Sequence, residues 1–487
     1  QSEMTTTTKT LSNFVEVKVR FRRSTHLEKD FVAAQNGDYI ITPTARHALR
    51  RLVEGMVDGS HFRAWTLTGP YGVGKSAFAV FLTRLLCAEG KQGQQARSQL
   101  EQVDPQLTML LRKLGLFGQS FKGFLPVLAT ARRTSASNCL AEGVVAAASS
   151  SRDRALKASV RGLVEKLKVQ QNNQQWDTRQ VVESISSLSV AATASGYGGV
   201  LLVVDELGKL FEYAARYPQK GDVFVLQELA EQAVRSTSSP IVLVGLLHQS
   251  FQEYGLHLDL ATRREWAKIQ GRFEDIAFLE PAEQVIRMIA QAIRWNSGTG
   301  ANDHPRFATD ITTAAYRAGV APYGIKVAEF ESIAKAAYPL HPVTLVALPF
   351  LFRRFAQNER SLFSYLSSQE PYGFQEFIRT HTLVSARPPV VRLSNLFDYF
   401  TRNFGAGLYR HPHALRWMEA ADVLERKEDL SPLHREVVKT IGILNALGEF
   451  CHLNATEDIV SLAISDSAKP SPELQSILQS LKESSIV

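Results

Sequence analysis

The sequence contains little cysteine. Cys87, Cys139 and Cys451 are the three cysteines in 487 residues, and they lie far apart in the chain. Disulfide frameworks and structural zinc sites need paired or closely spaced cysteines. The count therefore argues against a disulfide-rich secreted domain and a cysteine-based zinc site, and it favours a reducing compartment such as the cytoplasm.

Long apolar runs are also missing. No run reaches the roughly 18 residues that a membrane-spanning helix needs, and the opening QSEMTTTTKT lacks the apolar segment of a signal peptide. We therefore expect a cytoplasmic protein that has no membrane partner. Met4 is the expected natural start, because the three residues before it resemble the remainder of a tag.

A strong excess of charge of one sign is absent as well. The net charge of +7, from 55 basic and 48 acidic residues, is a weak field over a chain of this length. Composition thus permits a DNA partner without requiring one. The length itself predicts two to four domains.

Apolar, strand-like runs alternate with helical patterns in the first half of the chain. The runs lie in FRAWTLTG (62–69) and in residues 122–133, 198–213 and 240–251. Strands that are apolar on both faces, separated by helices, predict an α/β domain with a parallel sheet flanked by helices. Strand patterns stop near residue 282. We predict an N-terminal extension (1–36), an α/β core (37–281), an all-helical lid (282–385) and a helical, winged-helix-like domain (386–487).

The segment GPYGVGKS matches the phosphate-binding pattern G-x-x-x-x-G-K-[ST]. Its glycines let backbone N–H groups turn inward around phosphate oxygens, and the helix that follows presents its positive end to the same anion. Lys75 is expected to neutralise the β- and γ-phosphates, and Ser76 to bind Mg²⁺. An ordinary structural turn is the alternative. The predicted nucleotide-binding residues are Gly69, Pro70, Tyr71, Gly72, Val73, Gly74, Lys75, Ser76 and Ala77.

The segment GVLLVVDELGK ends a buried run with two carboxylates, Asp205 and Glu206. Open α/β sheets bind ligands at the carboxyl ends of their strands. We expect Asp205 to hold Mg²⁺ and Glu206 to activate the attacking water of an ATP hydrolase. A strand that simply ends in charged residues is the alternative.

An additional strand between the two motifs, together with Glu206, resembles the branch of P-loop ATPases that includes the AAA+ and STAND proteins. That resemblance implies a sensor at the end of the 240–251 strand, where His248 and Gln249 stand. It also implies a finger arginine that completes the site of a neighbouring subunit. The candidates are Arg263, Arg264 and, in GRF, Arg272, and solvated or salt-bridged arginines are the alternative.

The same resemblance implies a lid arginine and a base pocket. The lid candidates are Arg353, Arg354 and Arg360, with structural pairing as the alternative, and Tyr39 and Ile41 are the candidates for adenine contact. The basic residues of the N-terminal segment are more simply interpreted as a solvated edge. They are Arg20, Arg22 and Arg23.

A narrower resemblance rests on GPYGVGKSAF, DELGK, REWAKIQGRF and LHPVTLVALPFLFRRFAQNERSLFSYLSS, within residues 15–380. These segments resemble the ATPases of BREX-type phage-defence systems, near the origin-recognition-like clade. The resemblance implies ATP-driven homo-oligomerisation and a role in bacterial antiviral defence with DNA or an effector protein. Such proteins are often longer, so we expect a truncated chain or an effector on another chain.

Two other functions stay open on the sequence alone. One is a DNA-binding initiator or loader, in which HREVVKTIGILNAL would be the recognition helix. Its basic side chains are few, namely His434, Arg435 and Lys439. The other is a nucleotide-binding scaffold without catalysis, against which Glu206 argues.

Overall fold

A computed structural model of the chain describes residues 9–18, 25–33, 39–57, 63–87, 90–115, 122–173, 175–296, 309–355, 362–382, 388–409, 411, 413–427 and 429–483. The chain divides into two compact units. One unit is Thr25–Glu280, and the other combines Gln1–Ser24 with Pro281–Val487. No described helix is both long and apolar enough to cross a bilayer.

Strands and helices alternate in the first half of the chain, and helices dominate the second half. The strands are β1 (Val15–Val17), β2 (Ala64–Thr68), β3 (Leu125–Thr130), β4 (Val200–Asp205), β5 (Ile241–Leu247), β6 (Glu274–Ala277) and β7 (Ile293–Trp295). The helices are α1 (Leu27–Val32), α2 (Pro43–Val57), α3 (Lys75–Cys87), α4 (Gly90–Val103), α5 (Pro105–Lys113), α6 (Ala136–Ser150), α7 (Arg154–Asn173), α8 (Thr178–Ala194), α9 (Gly208–Arg216), α10 (Phe224–Arg235), α11 (Phe251–Tyr254), α12 (Leu260–Gln270), α13 (Ala282–Ala292), α14 (Thr309–Arg317), α15 (Val327–Ala336), α16 (Pro342–Phe355), α17 (Leu362–Ser367), α18 (Phe374–Thr380), α19 (Leu393–Tyr409), α20 (Leu415–Arg426), α21 (Pro432–Leu447), α22 (Glu457–Ser465) and α23 (Pro472–Glu483).

The unit Thr25–Glu280 is built on a five-stranded parallel sheet. Its strand order is β3-β4-β5-β2-β6, and all four pairings are parallel. Every residue of β4 and β5 is buried, as expected for central strands rich in valine, leucine and isoleucine. The α/β class with a parallel sheet is thus present, and the sheet is consistent with a P-loop fold.

Alternate residues of each central strand enter two different cores. In β4, Val200, Leu202 and Val204 pack with α6, α8 and α10 on one face of the sheet. Leu201 and Val203 pack with α2 and α3 on the other face. Both faces of the sheet are therefore covered, and the strand ends at its edge are left for a binding site.

The strand β6 was not predicted, because it carries little apolar signal. Ile276 is its one buried residue. The strand is held instead by pairing with β2, and the hydroxyls of Thr66 and Thr68 each donate to Asp275 Oδ1 at 2.6 Å. Cross-strand polar contacts, which no local periodicity reveals, stabilise this edge of the sheet.

The second unit is mostly helical, around one large apolar core. The expectation of helices alone after residue 282 was wrong at one place, because Ile293–Trp295 forms β7 and pairs antiparallel with β1. Val15 and Val17 of β1 are buried in this core, and their backbone supplies the partners that make residues 293–295 a strand. The described residues from 388 to 483 form helices, turns and an isolated bridge of Val391 with Leu340. The predicted boundaries at 36 and 385 stay predictions.

Candidate functional site

Three chain segments that carry the predicted motifs meet at one edge of the parallel sheet. Thr68 at the end of β2 lies opposite Leu247 at the end of β5, and β4 pairs with the other side of β5. The residues that follow these strands therefore become neighbours. Parallel pairing thus brings Gly69, Asp205 and His248 to the same edge.

The turn between β2 and α3 has a shape that requires glycine. Gly72 and Gly74 have φ values of 76° and 87°, in the left-handed region that side chains disfavour. A Cβ on Gly69 would lie 2.1 Å from the carbonyl oxygen of Phe278. The turn leads directly into α3, whose N-terminus carries the partial positive charge that suits an anion.

Lys75 is folded over this turn and is 5% exposed. Its Nζ donates to the carbonyl oxygens of Gly69 and of Pro70, the latter at 2.8 Å, and lies 3.4 Å from His248 Nδ1. Burial lowers the pKa of Lys75 to about 8, against the opposing effect of the Asp205 and Glu206 carboxylates. A cation so placed can turn from the carbonyls to a phosphate with little movement.

Asp205 and Ser76 place two oxygen ligands side by side. Asp205 is 5% exposed. Burial raises its pKa, while hydrogen bonds from the Ser76 side chain and the Glu206 amide oppose that rise. A hydroxyl and a carboxylate beside the glycine-rich turn fit Mg²⁺, which prefers oxygen ligands and shares its coordination with phosphate and water.

Glu206 follows Asp205 in a left-handed backbone conformation, with φ of 57°. Its Oε1 lies 3.1 Å from His248 Nε2 and its Oε2 lies 3.1 Å from Lys209 Nζ. Both contacts are close in distance without the angles of regular hydrogen bonds. Burial alone would raise the pKa of Glu206, but His248 and Lys209 together lower it to about 2. The carboxylate is therefore held ionised, as a base must be.

His248 connects Lys75 with Glu206. Its ring is stacked on that of Tyr71, with centroids 3.3 Å apart and planes 15° apart. If Nδ1 accepts from Lys75, the ring proton stands on Nε2, facing Glu206. Gln249, the second predicted sensor residue, is exposed at the same strand end.

Two residues of the site were not assigned from the sequence. Lys209 contacts Glu206, and the Tyr254 hydroxyl accepts from the His248 amide at 3.4 Å. A Cβ on Gly208 would lie 2.0 Å from that hydroxyl, so the start of α9 leaves room for Tyr254. The i, i+3 spacing of Glu206 and Lys209 in DELGK is a signal that could have shown the first contact. No local pattern links Tyr254 to the site.

Tyr39 and Ile41 lie against the helix that follows the glycine-rich turn. The Tyr39 ring stacks on Phe81 of α3 at 4.8 Å, and Ile41 packs on the same core. Burial, and secondarily the charge of Glu280, raise the pKa of Tyr39 far above its usual range. The adenine contact predicted for Tyr39 stays a prediction.

The three finger candidates occupy different surroundings. Arg263 donates to the carbonyls of Gly255 and Leu256 at the end of α11. Arg272 lies 3.0 Å from Glu231. It precedes β6 and so stands at the amino ends of the strands, whereas the glycine-rich turn follows their carboxyl ends. Arg264 is exposed on α12. Neither Arg264 nor Arg272 belongs to the cluster around Lys75, so either could serve only a site on another copy.

The lid candidates belong to the helical unit. Arg354 at the end of α16 donates to the Leu447 carbonyl at 3.2 Å and lies 4.1 Å above the Phe450 ring. Arg353 is its neighbour on the same turn. Arg360 lies outside the described residues, as do the N-terminal residues Arg20, Arg22 and Arg23.

The helix predicted to read DNA, α21, is a core helix. Nine of its sixteen residues are buried. Lys439 pairs with Asp398 at 2.7 Å, and Arg435 donates to the Leu424 carbonyl at 3.4 Å. A recognition helix needs a free face for a groove, and the packing of α21 disfavours that role.

Comparisons with known proteins add one similarity of structure. No protein-family model matches the chain, and no curated protein matches its sequence. Among solved structures, the ORC2 protein of Aeropyrum pernix in ADPNP–ADP complexes has a TM-score of 0.34 and 11% identity, over 86% of this chain and 90% of that chain. A similarity of this size assigns neither a family nor an activity, so the function must be argued from the site.

Proposed function

We propose that this chain binds ATP with Mg²⁺ and hydrolyses it at the edge formed by β2, β4 and β5. One observation supports the proposal above the others. A continuous series of contacts runs from Ser76 to Asp205, on to Glu206, then to His248 and back to Lys75. Three segments far apart in the chain thus bring together the residue types that phosphoryl transfer uses.

Each residue has a distinct role in the proposed reaction. The backbone N–H groups of residues 71–77 and the Lys75 ammonium bind the phosphates. Ser76 and Asp205 would hold Mg²⁺, which supplies neutralisation of phosphate charge when bound. Glu206 orients the attacking water and accepts its proton. His248 contacts both Lys75 and Glu206. It would lose its contact with Lys75 when the ammonium moves to the phosphate, and would keep its contact with Glu206.

Phosphate release by the purified chain, with Mg²⁺ and with EDTA, tests the proposal. Lys75→Ala should lose nucleotide binding and at least about a hundredfold in turnover, because phosphate charge is left unneutralised. Lys113→Ala, an exposed lysine at the end of α5, is the matched control and should behave as wild type. Normal turnover in Lys75→Ala would contradict the proposal.

The proposal extends to a switch that assembles on ATP binding. Arg264 or Arg272 would complete the site of a neighbouring copy, and Arg353, Arg354 or Arg360 would act from the lid. Size-exclusion chromatography with and without a non-hydrolysable ATP analogue tests this step. A larger species with the analogue is expected. An unchanged size together with tight binding and no turnover would favour the non-catalytic scaffold instead.

The proposed biological role is a switch in bacterial antiviral defence that acts on an effector protein. The support for it is the resemblance of the GPYGVGKSAF, DELGK and REWAKIQGRF segments to BREX-type ATPases. The alternative role as a DNA-binding initiator is less well supported, because nine of the sixteen residues of α21 are buried and Lys439 is paired with Asp398. Loss of phage protection in cells that carry Lys75→Ala would support the defence role, and unchanged protection would overturn it.

A further inference from the structure

The helix α7 carries a large share of the net charge of the chain. Its twenty residues include Arg154, Lys157, Arg161, Lys166 and Lys168 against one acidic residue, Glu165. Five minus one gives +4, compared with +7 for all 487 residues. The weak overall charge therefore hides a local concentration on a single helix.

Four of these cations form a line along α7, which we call the basic stripe. With 3.6 residues per turn, its members span about 60° of the helix circumference and about 21 Å of its length. They are Arg154, Lys157, Arg161 and Lys168, and all four are exposed. A straight row of cations matches a linear polyanion better than a compact one.

The stripe is largely unneutralised by described residues. Glu165 lies beside it and pairs with Arg161 at 3.2 Å, with both side chains mostly exposed. The other three cations make no ion pair with any described side chain. The packed helices add Glu142 from α6 and, from α8, Arg179 with Glu183. Their sum of −1 leaves the three helices at +3.

The face of α7 beside the stripe carries small residues along its first half. Ala155, Ala158, Ser159 and Gly162 are exposed there, and the exposed Lys166 and Val169 follow on the same face. A Cβ on Gly162 would meet nothing within 4 Å, although glycine weakens a helix interior by about 0.5–1 kcal/mol relative to alanine. Packing thus gives no reason for this glycine, and the small residues of the first half let a polymer backbone approach the helix closely there.

We propose that the basic stripe binds the phosphodiester backbone of a nucleic acid. Charge complementarity supplies the attraction, and contacts to phosphate carry no base specificity. An anionic membrane suits α7 less well, because a membrane-surface helix needs a free apolar face. Leu156, Val160 and Leu167, the apolar face of α7, are already buried in the unit's core.

Fluorescence anisotropy with labelled single- and double-stranded oligonucleotides at several salt concentrations tests this surface. The variant replaces all four stripe residues by glutamine, which preserves helix propensity. We expect at least about tenfold weaker binding at low salt, and a slope of log K against log salt that falls by about 3 to 4. Circular dichroism verifies that the variant is folded.

A matched control removes the same charge elsewhere in the unit. It replaces four exposed residues by glutamine, namely Arg46, Lys91, Lys113 and Lys220. Binding with near wild-type affinity is expected, and an equal loss in the control would overturn the proposal, as would wild-type binding to anionic vesicles but to neither oligonucleotide. Lys75→Ala should bind the oligonucleotides normally, so this surface and the ATP site are tested separately.

Discussion

Each unit of the molecule holds a half-buried carboxylate beside a histidine. In the sheet unit, Glu206 Oε1 lies 3.1 Å from His248 Nε2. In the helical unit, Asp466 Oδ1 lies 3.4 Å from His341 Nε2. Burial acts to raise the pKa of each carboxyl, yet the partners bring both to about 2. Residue types and electrostatics are thus alike, and the difference lies in what surrounds each pair.

The helical pair is enclosed by structural contacts. His341 has no exposed surface, and burial lowers its pKa. Arg392 donates to Asp466 Oδ1 at 2.8 Å and, with its other terminal nitrogen, to the Ala463 carbonyl at 2.8 Å. Asp466 itself caps α22 in a left-handed conformation. This cluster joins the end of α22, at Asp466, to the start of α16, which His341 precedes.

The sheet pair stands beside the glycine-rich turn between β2 and α3. His248 also contacts Lys75, and Tyr71 of the turn covers its ring. The comparison teaches that a strongly shifted carboxyl pKa marks either a structural cluster or a reactive site. The neighbouring elements decide between the two. Four experiments test that distinction, from the largest expected effect to the smallest.

Glu206→Gln should have the largest effect, on turnover alone. We expect the kcat for ATP to fall by about 10²–10⁴, because the amide cannot accept the proton of the water. Phosphate release measures kcat, and a fluorescent ATP analogue should bind as tightly as to wild type. Near-normal turnover in this variant would contradict the catalytic role of Glu206, and with it the difference between the two pairs.

Asp466→Ala should affect stability and spare catalysis. Removing the carboxylate leaves buried donors of His341 and Arg392 without their acceptor, which costs about 1–3 kcal/mol. Urea unfolding measures the loss, and kcat per folded molecule should stay constant. The exposed pair of Asp422 with Arg426 supplies the control, since Asp422→Ala should cost less than about 1 kcal/mol. A fall in kcat as large as that of Glu206→Gln would break the comparison.

Lys209→Gln should reduce kcat on the order of tenfold, because Glu206 loses a contact that orients it. The KM for ATP should change little, since Lys209 contacts no predicted phosphate ligand. Lys209→Arg keeps the charge and should restore most of the rate. Lys268→Gln is the control, because Lys268 makes a similar short-range pair with Glu265 on α12. A rise in KM as large as the fall in kcat, or no recovery of the rate in Lys209→Arg, would argue that Lys209 has only a structural role.

The pH dependence of stability should show the smallest effect. Asp466 has a pKa lowered to about 2 in the folded chain, below its usual value of about 3.9. Its stabilisation is therefore complete above that usual value and is lost as pH falls toward about 2. The difference in unfolding free energy between wild type and Asp466→Asn should shrink between about pH 6 and pH 3, by less than about 1 kcal/mol because Asp466 is partly exposed. A difference that grows on acidification would contradict the assignment.

Four of the five strands of the parallel sheet were predictable, and the edge strand β6 was not. The apolar runs predicted β2, β4 and β5, because central strands buried on both faces carry continuous apolar sequence, and they also predicted the edge strand β3. The strand β6 has one buried residue and depends on Asp275 meeting Thr66 and Thr68. The β1–β7 pair joins residues almost 280 positions apart in the chain. Such pairing leaves no local signal.

The sequence by itself determined the glycine-rich turn, the Asp205–Glu206 strand end and the α/β class, because each depends on residues close together in the chain. Only the tertiary structure decided that His248 lies between Lys75 and Glu206, that α21 is a core helix, and that α7 leaves its cations exposed. Burial and strand register depend on neighbours supplied by distant segments. For that reason Glu206 and Asp466, alike as acidic residues in the sequence, became a predicted base and a structural cap.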